Sequence, residues 1–154
     1  MKIGFGQDSH RFDPTGTKKL ILGGIFVNTE KSFSANSDGD VVLHALTNAI
    51  SGVTCVNILG KIADKMCLDD GITDSSEYVK EALKYLNYKI SNVSFSIECL
   101  TPKITPIIPQ MRKKIASLLN ISENCIGITA TTGEGLTAFG QGEGVQVFCS
   151  LLAE

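Results

Sequence analysis

Apolar and polar positions along the chain recur in two rhythms, and together they lay out a mixed fold. Residues 1–8 open as a strand, and Leu20–Gly23 and Ile25–Val27 are two short apolar runs turning at Gly23-Gly24. Val41, Val42, Ala45, Leu46, Ala49 and Ile50 fall at helical spacing, so a helix is expected over about 39–51, capped by Ser37 or Asp38. Residues 52–72 hold no clean period, and no element is assigned there. Asp74 followed by Glu77 has the spacing of a capping box, opening a helix that reaches about Asn87 with Val79, Ala82, Leu83 and Leu86 inward. The stretch Val93–Cys99 alternates, which predicts a strand with one wet face. Pro109 suits the first turn of a third helix carrying Met111, Ile115, Leu118 and Leu119. Two strands close the chain near 125–132 and 144–153, and the last is apolar on both faces, hence central. The order β-β-β-α-α-β-α-β-β predicts an α/β (α+β) sandwich, a mixed sheet packed on one side by helices.

Composition narrows the function. At 154 residues, with no repeat and no Pro/Ser-rich linker, the chain is expected to form a single domain over 1–154. Fourteen Lys+Arg against sixteen Asp+Glu give a net charge of −2, which argues against nucleic acid as the main partner. The 43% hydrophobic content excludes disorder, and the 19% charged content points to a surface partly covered by another subunit. No apolar run reaches membrane-spanning length, so no membrane partner is expected. The start turns polar by Gln7, too early for a signal peptide. The five cysteines are odd in number and lack a C-x-x-C, as expected of reduced thiols in a cytoplasmic protein.

Both histidines sit beside carboxylates. Asp8 and His10, two apart at the end of a predicted strand, leave the same face. His44 lies on the first predicted helix, with Asp40 at i−4 placed to accept from its free ring nitrogen. Two imidazoles and a carboxylate suit a zinc-like ion with an open fourth position. The same spacing also fits a hydrogen-bonded turn pair and a partly buried helical histidine. Thr131 and Thr132 at a strand end, followed by Gly133, let hydroxyls and N–H groups approach phosphate oxygens, and Glu134 can hold Mg²⁺ or Mn²⁺. A mobile glycine loop fits that stretch equally. Lys103, after Leu100-Thr101-Pro102, can face a phosphate or simply be solvated.

The pieces fall in a known order: I-G-x-G-x-D-x-H at the start, N-S-D-G-D-V-V-L-H at Asn36–His44, T-P-K and I-P-Q-M-R within 101–112, then A-T-T-x-E and G-x-G-E-G. Over essentially its whole length the chain resembles the 2-C-methyl-D-erythritol 2,4-cyclodiphosphate synthase family of non-mevalonate isoprenoid biosynthesis. The resemblance implies a homotrimer with active sites between subunits. It implies zinc on Asp8, His10 and His44, and Mg²⁺ or Mn²⁺ on Glu134 with a diphosphate. The substrate it implies is 4-diphosphocytidyl-2-C-methyl-D-erythritol 2-phosphate, whose 2-phosphate closes on the β-phosphorus and expels CMP. Asn36 and Thr132 would act at the reacting phosphates. Cytidine would lie along Cys99, Leu100, Thr101, Pro102, Lys103, Ile104 and Thr105. Phosphate contacts would come from Ser9, Ser37, Thr131, Thr132 and Gly133, and the rest of the substrate would meet Ile58, Leu59, Gly60 and Gln141.

The chain departs from the family's pattern in places. Asn36 replaces a usual His and donates a hydrogen bond without a positive charge. Asn57-Ile58-Leu59-Gly60 replaces G-D-I-G, so the Asp that grips the erythritol hydroxyls is missing, and Gln141 replaces a common Arg. These changes predict slower turnover. A zinc phosphohydrolase acting on nucleotide diphosphates and a diverged trimer binding nucleotide or isoprenoid diphosphate without turnover are the alternatives.

Overall fold

The computed structural model describes all residues, Met1–Glu154. Its main sheet has the strand order β1-β6-β4-β5, with β1 Lys2–Arg11, β4 Ile90–Glu98, β5 Ile126–Thr131 and β6 Gly144–Ala153. The β4–β5 pair is parallel and the others are antiparallel, so the sheet is mixed, and the doubly apolar β6 is central. A separate hairpin pairs β2 Leu20–Leu22 with β3 Ile25–Val27. The helices are α1 Val41–Thr54, α2 Lys61–Asp64, α3 Ser75–Leu83 and α4 Ile108–Leu119.

Register puts Gly4, Gly6, Asp8 and His10 of β1 on the same side as Val145, Val147, Cys149 and Leu151 of β6 and Val93, Phe95 and Ile97 of β4. That side is the core. Val93, Phe95, Ile97, Val145, Val147 and Cys149 are fully buried, as are all six expected inward residues of α1. Each such large side chain contributes about 1.5–3 kcal/mol by leaving water. The opposite side of the sheet carries Ile3, Phe5 and Phe148 in the open, with the two phenylalanine rings stacked at 6.0 Å.

Several boundaries differ from the pattern-based expectation. β1 runs three residues past 8 because β6 supplies partners as far as Arg11. The cap of α1 is Asp40, not Ser37 or Asp38: its Oδ1 accepts from the N–H groups of Leu43 and Gly23, and its Oδ2 from that of Gly24. Asp74 does cap α3, but Glu77 pairs with Lys80 at 2.6 Å instead of closing a capping box, and the helix stops at Leu83. The unassigned stretch forms α2 and a π-helical turn, Lys65–Asp69. Cys99 and Cys149 are buried as expected, while Cys55 is exposed.

Asp40 therefore joins the hairpin turn to the start of α1. Burial pushes its carboxyl up to about 6, against the three N–H groups that favour the charged form. Removing it in Asp40→Ala deletes a helix cap and strands two further donors, the buried Gly23 N–H and the half-buried Gly24 N–H, an expected loss of about 3 kcal/mol at neutral pH by denaturant titration. The folded carboxyl binds its proton more tightly than the unfolded one. The additional stability that comes from this tighter proton binding, over and above the hydrogen bonds, is fully present below pH 3.8 and is lost as pH rises through about 6. The wild-type advantage over Asp40→Ala should thus be larger at pH 4 than at pH 7.

Candidate functional site

The site grows out of a close approach between strand and helix. A Cβ on Gly4 would stand 2.0 Å from the Ala49 carbonyl oxygen, and one on Gly6 would stand 2.1 Å from that of Ala45. Without side chains there, α1 settles onto β1, and His44, the neighbour of Ala45, comes level with Asp8. His44 Nδ1 lies 3.0 Å from Asp8 Oδ2 and 3.1 Å from His10 Nε2, which is itself 3.3 Å from the same Asp8 oxygen. The three side chains expected to converge do so.

The remaining ring nitrogen of His44 is held by a different partner from the one its spacing suggested. Asp40 is committed to backbone N–H groups, and His44 Nε2 instead lies 2.8 Å from Ser75 Oγ. Ser75 donates its own proton to Asp38 Oδ1 at 2.5 Å, so its oxygen accepts from His44 Nε2–H. That fixes the tautomer and turns the Nδ1 lone pair towards Asp8. Burial holds His10 below its ordinary pKa, with the Asp8 carboxylate opposing and His44 adding to the effect; the Phe33 ring lies 5.5 Å from its imidazole.

A lone pair on His44, the carboxylate of Asp8 and a largely neutral His10 thus point at one spot. All three ligand atoms lie within 4.8 Å of one another. Ligand atoms at zinc distance stand about 3.3 Å apart in a tetrahedron, close to the separations seen. A divalent cation satisfies all three acceptors at once, so the donor set fits a zinc-like ion. Ser75→Ala should leave the ligands in place but free the ring of His44, weakening zinc binding by about 10-fold or more in a chelator competition; unchanged affinity would count against this support.

The triad lines a cleft of about 400 Å³ together with Asn36, Ser37, Leu59 and Gly60, and also Asn48, Asp64, Cys67 and Tyr78. A second cavity, of about 150 Å³, is lined by Cys99, Leu100, Pro102, Lys103, Ile104 and Thr105 from one segment and Ala130, Thr131 and Thr132 from another. Parallel pairing of β4 with β5 brings those two strand ends together. Burial pushes the Cys99 thiol up to about 11, so it lines this cavity without being a nucleophile at neutral pH.

The other expected residues lie apart. Ser9 points to the opposite side of β1 from Asp8 and His10. Ile58 is fully buried in the core, leaving its neighbours Leu59 and Gly60 at the cleft. Thr101, Gly133, Glu134 and Gln141 line neither cavity. Glu134 sits at the tip of a tight turn with φ 56°, and Gln141 Nε2 donates to the Gly135 carbonyl at 3.1 Å, bracing that turn. Ser75 and Tyr78 escaped the sequence-based expectation, and Asp38 entered it only as a helix-cap candidate. Only the Asp74 cap hinted that Ser75 opens a helix, and nothing in the spacing links it to His44 across 31 residues.

The chain has relatives of known sequence and structure. The chain is 52% identical over 153 residues to proteins of Chlamydia trachomatis and Chlamydia muridarum named 2-C-methyl-D-erythritol 2,4-cyclodiphosphate synthase, covering 97% of this chain and 86% of theirs. Among solved structures, a Plasmodium falciparum IspF in complex with CDP superposes with a TM-score of 0.80 at 29% identity, over 99% of this chain and 94% of that one. The bifunctional IspDF of Campylobacter jejuni matches with a TM-score of 0.86 at 30% identity, over 97% of this chain but only 41% of its own. The YgbB family matches residues 1–154 throughout, and the chain belongs to that family.

Proposed function

We infer that this protein converts 4-diphosphocytidyl-2-C-methyl-D-erythritol 2-phosphate into 2-C-methyl-D-erythritol 2,4-cyclodiphosphate and CMP. The observation that carries the reading is the convergence of Asp8, His10 and His44 in a cleft of a chain half identical to proteins named for that product. The reaction is a phosphorus–oxygen lyase reaction. An oxygen of the 2-phosphate bonds to the β-phosphorus, the bond from that phosphorus to the bridging oxygen breaks, and the bridging oxygen leaves with its electron pair as part of CMP. The nucleophile is already an anion, so no general base is required.

What the protein must supply is alignment of two anions. The nucleotide fits the cavity of Cys99–Thr105, with Lys103 beside it, and the Thr131 and Thr132 hydroxyls reach the diphosphate. Asn36 and Ser37, on the wall of the other cleft, donate to the attacking phosphate. Zinc on Asp8, His10 and His44 and Mg²⁺ or Mn²⁺ on Glu134 supply charge neutralisation on the phosphoryl oxygens when bound. The two cavities are distinct within one chain. A homotrimer joins them by placing the nucleotide cavity of one subunit against the metal cleft of the next, and the bare sheet side carrying Phe5 and Phe148 is the surface such assembly covers.

Phosphorus NMR of the products tests the reading. A cyclic diphosphate appearing with CMP supports it, whereas inorganic phosphate or a monoester identifies a hydrolase, and tight nucleotide binding with no product identifies a binding protein. Glu134→Gln should keep zinc while lowering Mg²⁺-dependent turnover about 100-fold; an unaltered Mg²⁺ dependence would remove Glu134 from its role.

A further inference from the structure

Asn36 and Ser37 lie outside any helix or strand, so their place in the wall of the metal cleft depends on what holds their loop. The segment after β1 holds it. Asp13 accepts from the Thr15 N–H and hydroxyl at 2.9 and 2.8 Å, and its own N–H donates to the Ser32 carbonyl at 2.8 Å. Gly16 lets this turn settle, for a Cβ there would stand 2.5 Å from Ser32 Oγ. Stacking of Phe12 on Phe33, with ring centroids 5.3 Å apart, ties the same two stretches together. The chain then delivers Lys18 to the loop, where its ammonium donates to the Ala35 carbonyl and, at 3.1 Å, to the Ser37 carbonyl.

Those two carbonyls flank Asn36. Across a trans peptide the carbonyl and the following N–H point in opposite directions, so the Asn36 and Asp38 N–H groups face away from Lys18. The Asp38 N–H meets the Thr73 carbonyl at 2.9 Å, whereas the Asn36 N–H has no partner in the chain and is free for a ligand. The wall is thin, because Ala35 and Asn36 line both the metal cleft and a neighbouring cavity of about 500 Å³ that Lys18 lines. The cleft itself is lined by the carboxylates of Asp8 and Asp64 and by no lysine or arginine. An anion entering it meets negative groups, and the Lys18 ammonium behind the Asn36 wall opposes them. We propose that Lys18 is a positioning residue for the attacking phosphate: it binds the carbonyls on either side of Asn36, turns the donors of Asn36 and Ser37 to the cleft, and sets a positive charge behind them. The proposal rests on the reaction assigned above.

Orientation and charge are separable contributions. Holding the carbonyls needs only N–H donors, which a neutral amide also has. Opposing the carboxylates needs a cation, and salt screens that effect. A guanidinium supplies both, with two N–H groups for two carbonyls.

The test is steady-state CMP release by the zinc-loaded protein, set beside calorimetric binding of CDP, which carries no attacking phosphate. Lys18→Met keeps the aliphatic stem but removes donors and charge, and should lower kcat/KM about 10- to 100-fold. The same variant should bind CDP within about twofold of wild type and keep its zinc. Lys18→Arg should recover most of the loss and Lys18→Gln only part of it. The gap between Lys18→Gln and wild type should narrow as salt rises from about 0.05 to about 0.5 M. Lys19→Met, which removes the ammonium lying 5.4 Å over the Phe26 ring, is the control and should leave kcat/KM unchanged. A wild-type kcat/KM in Lys18→Met overturns the proposal, as does an equal loss of CDP affinity or an arginine variant no better than the methionine one. Absence of CMP release by wild-type protein overturns the reaction assignment instead, so the two failures are told apart.

Discussion

His44→Ala should yield a folded protein that retains less than about a tenth of its zinc and releases CMP at least about 1,000-fold more slowly. The imidazole supplies one of three ligand atoms meeting within 4.8 Å, and two ligands seldom hold zinc against water. The loss extends beyond one bond. Without the ring, Ser75 no longer has a partner to orient, and Asp8 and His10 are left facing a gap. Elemental analysis of the purified variant reads the first effect and a CMP assay the second. Near-stoichiometric zinc in the variant would mean that another residue completes the site and that the triad has been misassigned. The helix itself should survive, because the inward residues of α1 are buried independently of His44, and a circular dichroism melt separates ligand loss from unfolding.

Gly6→Ala should be more damaging than its single methyl suggests. The added carbon would lie 2.1 Å from the Ala45 carbonyl oxygen and 2.4 Å from the Ala49 nitrogen, both backbone atoms that cannot rotate away. Either β1 or α1 must shift, and both carry ligands. A cost of about 3 kcal/mol or more is expected, which corresponds to a fall in Tm of about 10 °C for a chain of this size. Moving α1 outward also draws His44 from Asp8, so zinc affinity should fall together with stability. Substitution at Gly71, where an added Cβ meets nothing within 4 Å, gives the contrast in crowding, although its φ of 69° carries its own backbone strain. An unchanged melting temperature and zinc content in Gly6→Ala would show that the strand and helix are not in register as described.

Much of this architecture was legible because periodicity reports burial. The α1 positions, the alternation of β4 and the two-faced apolarity of β6 are direct consequences of which side meets the core. The pairing of Asp8 with His10 in the candidate metal site was legible for a related reason, since period-two spacing sets both on one side of any strand that contains them. The partner of His44 was not. Spacing along a helix favoured Asp40, but three backbone N–H groups compete for that carboxylate and win, and the bond to the ring passes to Ser75 through a contact no local pattern encodes. Residues 52–72 were opaque because a four-residue helix running into a π-helical turn has no sustained period to detect. Ile58 shows the limit from the other side, for its place in the order of motifs suggested the cleft while its side chain belongs to the core.

The single carboxylate at position 40 has a dynamic corollary. It spans the Gly23-Gly24 bend and the first turn of α1, segments that the chain itself separates by sixteen residues or more. Both are tied to one side chain, so their amide protons should be better protected from exchange in the wild-type protein than in Asp40→Ala. Because that helix also carries His44, loosening of the two-stranded hairpin would reach that imidazole as disorder.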